Sequence, residues 1–190
     1  IAPAHHRFLT VSGPIEAWAN PDSQEVSIAM VDTGPVEPPV ALDVAGRALI
    51  GHPVLVGVPH VVILTDDADA FADAATFDTI GRAIRHDPAF PAGTNVNVIS
   101  PKADGSWRMR TYERGVERET LACGTGVVAT SVVLASLGKA VSPVRVVVSS
   151  GKTLQASFDL VKKRGVNVRL EGSATFVYDG VLDPEAIAEV

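Results

Sequence analysis

Residues 112–138 read Tyr-Glu-Arg-Gly-Val-Glu-Arg-Glu-Thr-Leu-Ala-Cys-Gly-Thr-Gly-Val-Val-Ala-Thr-Ser-Val-Val-Leu-Ala-Ser-Leu-Gly, and they decide the fold. Cys123, the only cysteine of the 190 residues, directly precedes Gly124-Thr125-Gly126. The run from Val127 to Leu137 is apolar except for Thr130, Ser131 and Ser136. It lacks Pro and stops at Gly138-Lys139, a helix C-terminus signal. A helix apolar nearly all round is buried on every side rather than lying on the surface. Cys123 is thereby placed at a buried helix N-terminus, beside backbone N–H groups that have no intrahelical partner.

Such a position carries chemistry. Unpaired N–H groups and the positive end of the helix dipole favour a thiolate, so the thiol pKa is expected to fall from about 8.5. The same N–H groups suit a carboxylate or phosphate, and the flanking glycines let it approach the backbone closely. A thiolate beside an anion site fits a base that takes a proton from a carbon next to a bound carboxylate. The plain alternative is a small cysteine packed as a hydrophobe.

Outward from this stretch, short alternating segments read as strands. They are Arg7 to Ser12, Ile15 to Ala19 and Glu25 to Asp32, with a turn at Asn20-Pro21-Asp22-Ser23. Gly34 to Pro39 is a proline-rich connector. Val54 to Thr65 gives two strand segments, with His60 expected at the bend. Asp66 to Asp69 reads as a solvated loop, because its spacing does not fit a calcium site. Thr76 to His86 has Phe77, Ile80 and Ile84 at helical spacing and ends in basic residues, so it predicts a surface helix capped by His86. Further strands are expected at Asn95 to Ser100, Trp107 to Arg114, Val144 to Ser149, Thr153 to Leu160, Val166 to Leu170 and Ala174 to Tyr178. Asp183 to Val190 is a tail or helix start. His5-His6 carries no metal reading, since adjacent strand residues point to opposite faces. About nine strands and one central hydrophobic helix make an α+β domain, a curled, mostly antiparallel sheet wrapped around that helix.

Composition sets the class. The chain is 46% hydrophobic and 20% charged with a net charge of -6, which is ordinary for a globular domain and argues against nucleic acid or anionic membrane as partners. No apolar run approaches the roughly 20 residues of a membrane span. One cysteine excludes an internal disulfide and fits a reducing cytoplasm.

Glu113-Arg114-Gly115 followed by Glu119-Thr120-Leu121-Ala122-Cys123-Gly124-Thr125-Gly126 resembles the second-cysteine signature of diaminopimelate epimerases. Upstream, Gly57-Val58-Pro59-His60-Val61-Val62 and Phe90-Pro91 with Thr94-Asn95-Val96-Asn97 match further family segments in the same order. The resemblance runs from near Phe8 to the C-terminus and covers about the latter two thirds of the family's pattern. It implies two similar halves, each a sheet around a helix with a cysteine at its N-terminus, and substrate between them. One thiolate removes the α-proton and the other thiol returns one on the opposite face, with no metal, pyridoxal or other cofactor. The activity implied is an amino-acid epimerase (isomerase) converting LL- to meso-diaminopimelate for lysine and peptidoglycan precursors.

Carried over residue by residue, the resemblance makes Cys123 one acid/base thiol. Gly124 and Thr125 hold the substrate α-carboxylate, Glu113 and Arg114 hold its ammonium and carboxylate groups, and Asn95 meets its distal end. His60 lies near a thiol and tunes it. Residues 1–190 form one epimerase-like domain, the family's second half, with parts of 1–35 and 173–190 assignable to the other half. Val58 stands where the family has an asparagine, Val116-Glu117-Arg118 is one residue longer than the commonest form, and the first cysteine has no counterpart. Three readings follow: a fragment whose other half is on another chain or removed, a half-size protein that pairs with itself as a homodimer, or a small amino-acid-binding relative. A different cofactor-free racemase of the same fold is a further alternative. A cysteine hydrolase using His60 as base is the reading from another class, and no nucleophile signature of that kind is present.

Overall fold

The computed structural model describes residues 4–11, 13–20, 22–181 and 183. Among them, twelve strands join one mixed sheet flanked by two helices. The strands are β1 (His5–Thr10), β2 (Gly13–Ala19), β3 (Glu25–Ala29), β4 (Val40–Val44), β5 (Arg47–Val56) and β6 (Val58–Leu64). After the helix α1 (Ala74–Arg85) come β7 (Asn95–Pro101), β8 (Trp107–Glu113) and β9 (Arg118–Thr120). The helix α2 (Gly124–Ser136) precedes β10 (Val144–Val147), β11 (Thr153–Val161) and β12 (Arg164–Ser173). The strand order is β1-β2-β3-β12-β11-β10-β8-β7-β6-β5-β4, with β9 on β8. Two pairings, β6–β7 and β8–β10, are parallel and the others antiparallel.

Helix α2 is the hydrophobic run at its centre. Residues Gly126 to Leu134 are all buried. It packs on β5, β6, β7, β10, β11 and β12, joining Val54, Val56, Val62, Ile99, Met109, Val146 and Phe158 in one core. It ends as its sequence dictates: Gly138 takes φ +68°, its N–H bonds to Ala135 O, and Lys139 N–H bonds to Leu134 O. This double closure satisfies carbonyls that would otherwise be orphaned.

Helix α1 covers the opposite face of the same central strands. Asp73 caps it, its carboxylate accepting from the Thr76 N–H at 2.9 Å. Phe77, Ile80 and Ile84 pack with Val61, Ile63, Val96, Val98 and Tyr112. Strand alternation divides the two cores. Along β6, Val61 and Ile63 face α1 while Val62 and Leu64 face α2. Strands covered on both faces read as continuous apolar runs, which is how Val61 to Leu64 looks in the sequence.

Several expectations are corrected. The sheet is mostly antiparallel as expected, but two parallel pairings make it mixed and it carries a helix on each face, so one central helix is too simple a description. The bend in Val54 to Thr65 falls at Gly57, with φ +68°, and His60 lies within β6. Strands β4 and β9 and the first half of β5 were not expected. Ala174 to Tyr178 forms no strand, and Phe176 is 91% exposed. The tail expected over Asp183 to Val190 lies outside the described residues except for Asp183. No helix of the described residues is long and apolar enough to cross a membrane.

Candidate functional site

The α2-facing side of β6, β7 and β8 ends at the N-terminus of α2, and period-two alternation gathers polar residues there. His60 pairs in register with Asn95, and Val62 with Asn97, across the parallel β6–β7 pair. Asn97 pairs with Thr111 across β7–β8. His60, Asn95, Asn97 and Thr111 are all buried.

Cys123 is the N-cap residue of α2, extended at φ -135° and ψ 107°, and buried. Its Sγ lies 3.5 Å from Thr125 Oγ1. The expected fall in the thiol pKa is overturned: burial pushes the thiol above its ordinary value. The Thr125 hydroxyl and the N–H groups of Gly126 and Thr125 pull the other way, as the helix N-terminus should, while the nearby Glu113 charge adds to the rise. Desolvation outweighs the helix end, and the thiol rests protonated.

His60 is held by amides. Asn97 Nδ2 lies 3.1 Å from His60 Nδ1 and donates to Val61 O at 3.2 Å. Asn95 Nδ2 donates to Pro59 O at 3.2 Å and sits 3.5 Å from His60 Nε2. Burial, with the Arg114 charge second, lowers the imidazole pKa to about 3. His60 is neutral at physiological pH and cannot serve as an imidazolium acid. Asn97 Oδ1 accepts from Thr111 Oγ1 at 3.0 Å. On its far side lies Gly126, where a Cβ would be 2.5 Å from Asn97 Oδ1 and 3.3 Å from Cys123 Sγ. Only glycine fits between that amide and that thiol.

Glu113 ends β8, and Arg114 follows it into the β8–β9 turn. Arg114 N–H donates to Asn95 Oδ1 at 2.8 Å, and its guanidinium donates to Ala92 O at 2.9 Å. Asn95 thus spends both ends of its amide within the protein, tying Arg114 to β6. The turn is held by Glu117, which takes φ 60° and whose carboxylate accepts from Gly115 N–H at 2.9 Å, Arg85 Nε at 2.7 Å and the Tyr112 hydroxyl at 3.1 Å. These contacts hold the Glu117 pKa at about 2.

The structure therefore brings Cys123, Gly124, Thr125 and Glu113 together, and connects His60, Asn95 and Arg114 beside them. Asn97, Thr111 and Glu117 were missed by sequence reasoning, although alternation from Asn95 and Glu113 puts the first two on the site's face. Of two cavities, only the first includes a residue of this site. One of about 270 Å³ beside His60 is lined by Pro35, Pro53, Leu55, Pro59 and Phe90. An open cleft of about 530 Å³ lies over Arg108, Arg110 and Glu119. Among the described residues no three His, Cys, Asp or Glu side chains are grouped to hold a metal.

The chain is 38% identical over 187 residues to the diaminopimelate epimerase of Hydrogenobaculum sp., covering 97% of this chain and 65% of that relative. It is 54% identical over 101 residues to that of Gemmatimonas aurantiaca, covering 53% of this chain and 35% of the relative. The chain thus spans less than two thirds of the length of these relatives. Among solved structures, a probable proline racemase from Agrobacterium radiobacter superposes with a TM-score of 0.68 at 19% identity, over 97% of this chain and 63% of that one, and so shares the fold. The family model described as diaminopimelate epimerase matches residues 53–177, which include β6, β7, Glu113, Arg114 and the whole of α2, and the chain belongs to that family.

Proposed function

We propose that this chain supplies one catalytic half of a cofactor-free amino-acid epimerase that interconverts LL- and meso-diaminopimelate. The observation that carries the reading is a buried thiol at a helix N-terminus with a carboxylate, Glu113, close enough to act on its charge. Backbone N–H groups at Gly124 and Thr125 would take the substrate α-carboxylate. Arg114, held by Asn95, would pair with a second carboxylate in planar fashion. Inversion at a carbon needs a base on one face and an acid on the other. The protonated Cys123 thiol is the acid: its proton goes to the α-carbon while a base on the opposite face removes the original hydrogen. By family resemblance that base is the thiol of the other half. For the reverse direction Cys123 must ionise, and Glu113 is the neighbouring carboxylate that would take its proton.

The same reading makes the sheet around α2 the second half of a two-half fold. Among the described residues of β1 to β3 only Ala17 is buried, and Phe8, Leu9 and Phe176 are exposed. This supports assigning parts of 1–35 and 173–190 to contacts with a first half, whether from another chain or from a second copy. A place in lysine and peptidoglycan precursor synthesis in the cytoplasm follows from the reaction.

The test is α-hydrogen exchange in deuterated water, followed by NMR with LL- and meso-diaminopimelate. Exchange that vanishes in Cys123→Ala is expected. Retained exchange in a folded Cys123→Ala removes Cys123 as the acid/base group. Binding without exchange, read from shifts of the Gly124 and Thr125 amides, leaves the half-site reading standing. Neither binding nor exchange overturns it.

A further inference from the structure

We infer that Asn97 is a positioning residue, whose single amide fixes the proton of His60 on Nε2 while its oxygen sets the distance between β7 and the Cys123 end of α2. The amide has one orientation. Val61 O can only accept, so the atom 3.2 Å from it is the Asn97 nitrogen, and the oxygen faces Thr111 and Gly126. One hydrogen of that NH₂ goes to Val61 O and the other to His60 Nδ1 at 3.1 Å. His60 Nδ1 is therefore an acceptor, and a neutral ring then carries its hydrogen on Nε2. The other ring contact is longer: Asn95 Nδ2, also fixed as a donor by Pro59 O, stands 3.5 Å from Nε2, so the closer Asn97 contact decides which nitrogen accepts. Both ring nitrogens face amide NH₂ groups, so an imidazolium would find no acceptor in either.

The consequence is that His60 cannot take the Cys123 proton through Nδ1, which Asn97 occupies. This leaves Nε2–H as the ring's one donor, on a residue that also lines the 270 Å³ cavity. The other end of Asn97 acts on the thiol. Its oxygen fills the space a side chain at position 126 would need, and Gly126 stays close enough for its N–H to bond the thiol. One buried side chain thus sets the state of two groups on different elements. A catalytic consequence rests on the epimerase reading of Cys123, but the proton position and the thiol reactivity need no substrate and survive the failure of that reading.

The test is a ¹⁵N NMR measurement of the His60 ring, together with the rate of Cys123 alkylation by iodoacetamide, on the whole chain. At neutral pH the wild type should show one tautomer, hydrogen on Nε2 and Nδ1 accepting. A ring protonated on Nδ1, or on both nitrogens, overturns the inference without any variant. Asn97→Asp keeps the shape but replaces the donor by a carboxylate. The ring should move its hydrogen to Nδ1 or become cationic, and alkylation should slow about tenfold or more, equivalent to one unit of thiol pKa. A folded Asn97→Asp that keeps both the Nε2–H ring and the wild-type alkylation rate overturns it. Should that variant not fold, Asn97→Ala removes the donor without adding charge, and the single tautomer should become a mixture; an unchanged ring refutes the assignment. Thr111→Val, which removes only the bond to the Asn97 oxygen, should keep the Nε2–H tautomer, and a change of tautomer there counts against the amide as the fixing group.

Discussion

The Tyr112 ring lies so close against Gly81 of α1 that a β-carbon at position 81 would stand 2.5 Å from it. Glycine inside a helix costs about 1 kcal/mol relative to alanine. Here it lets the helix settle on a buried tyrosine whose hydroxyl reaches Glu117 under the Arg114 turn. Gly81→Ala should therefore destabilise the protein by about 1–2 kcal/mol, since overpacking of about 1–3 kcal/mol outweighs the gain in helix propensity. Urea unfolding followed by circular dichroism measures this, and a more stable variant would refute the contact.

Arg110 is buried on the α1 face of the sheet. It makes two bonds to Glu119, at 2.9 and 2.7 Å, another to Ala72 O, and stacks its guanidinium 4.0 Å over Phe77. Glu119 also accepts from Ser149 Oγ at 2.8 Å, so the pair anchors the segment that leads into Cys123. Removing one partner leaves the other charge buried, which typically costs about 3–5 kcal/mol. Glu119→Ala should lose roughly that much, and Arg110→Met combined with Glu119→Leu should lose distinctly less. Equal losses in the single and double variants, measured in a double-mutant cycle, would show that the charges are solvated.

The legible parts of the sequence were those where one local signal and the tertiary environment agree. The α2 run declares its burial through its lack of a polar face, and Gly138 marks its end; α1 declares itself through Phe77, Ile80 and Ile84. Cys123, Glu113 and Arg114 could be gathered from the motif. The thiol's protonation could not, because the helix end is a local feature and the burial that overrules it comes from tertiary packing. Asn97 was hidden for a similar reason: in the sequence it is one of two asparagines in a strand, and its weight comes from His60, 37 positions earlier, and Gly126 on another element. Ala174 to Tyr178 misled in the opposite sense, since its composition suits a strand but, beyond the single bond from Ala174 N–H to Gln24 O, no strand of the described residues continues a ladder along it.

Acid should destabilise the protein in two stages. His60 has a folded pKa of about 3 against an ordinary 6.5, so the unfolded chain binds its proton first and stability falls as pH drops from about 6.5 toward 3. Glu117 is depressed from 4.5 to about 2, so its contribution is present above 4.5 and is lost as pH falls toward 2. Urea midpoints measured across this range should flatten at the upper end in His60→Gln and at the lower end in Glu117→Gln. If His60→Gln leaves the slope above pH 4.5 unchanged, His60 is not the buried neutral base described.

The protonated thiol makes a prediction that separates burial from the helix end. At neutral pH Cys123 should react with iodoacetamide more slowly than a free cysteine, and its rate should keep rising with pH past the ordinary thiol value, because burial lifts the folded pKa. Glu113→Gln removes a like charge and should move the profile to lower pH. Thr125→Val removes a hydrogen bond that favours the thiolate and should move it to higher pH. The two shifts oppose each other, so access alone cannot mimic them: a change in accessibility scales the rate at every pH and leaves the midpoint where it was. Midpoints that stay fixed in both variants would mean that neither Glu113 nor Thr125 acts on the sulfur. A wild-type midpoint below that of free cysteine would mean that the helix end prevails over burial.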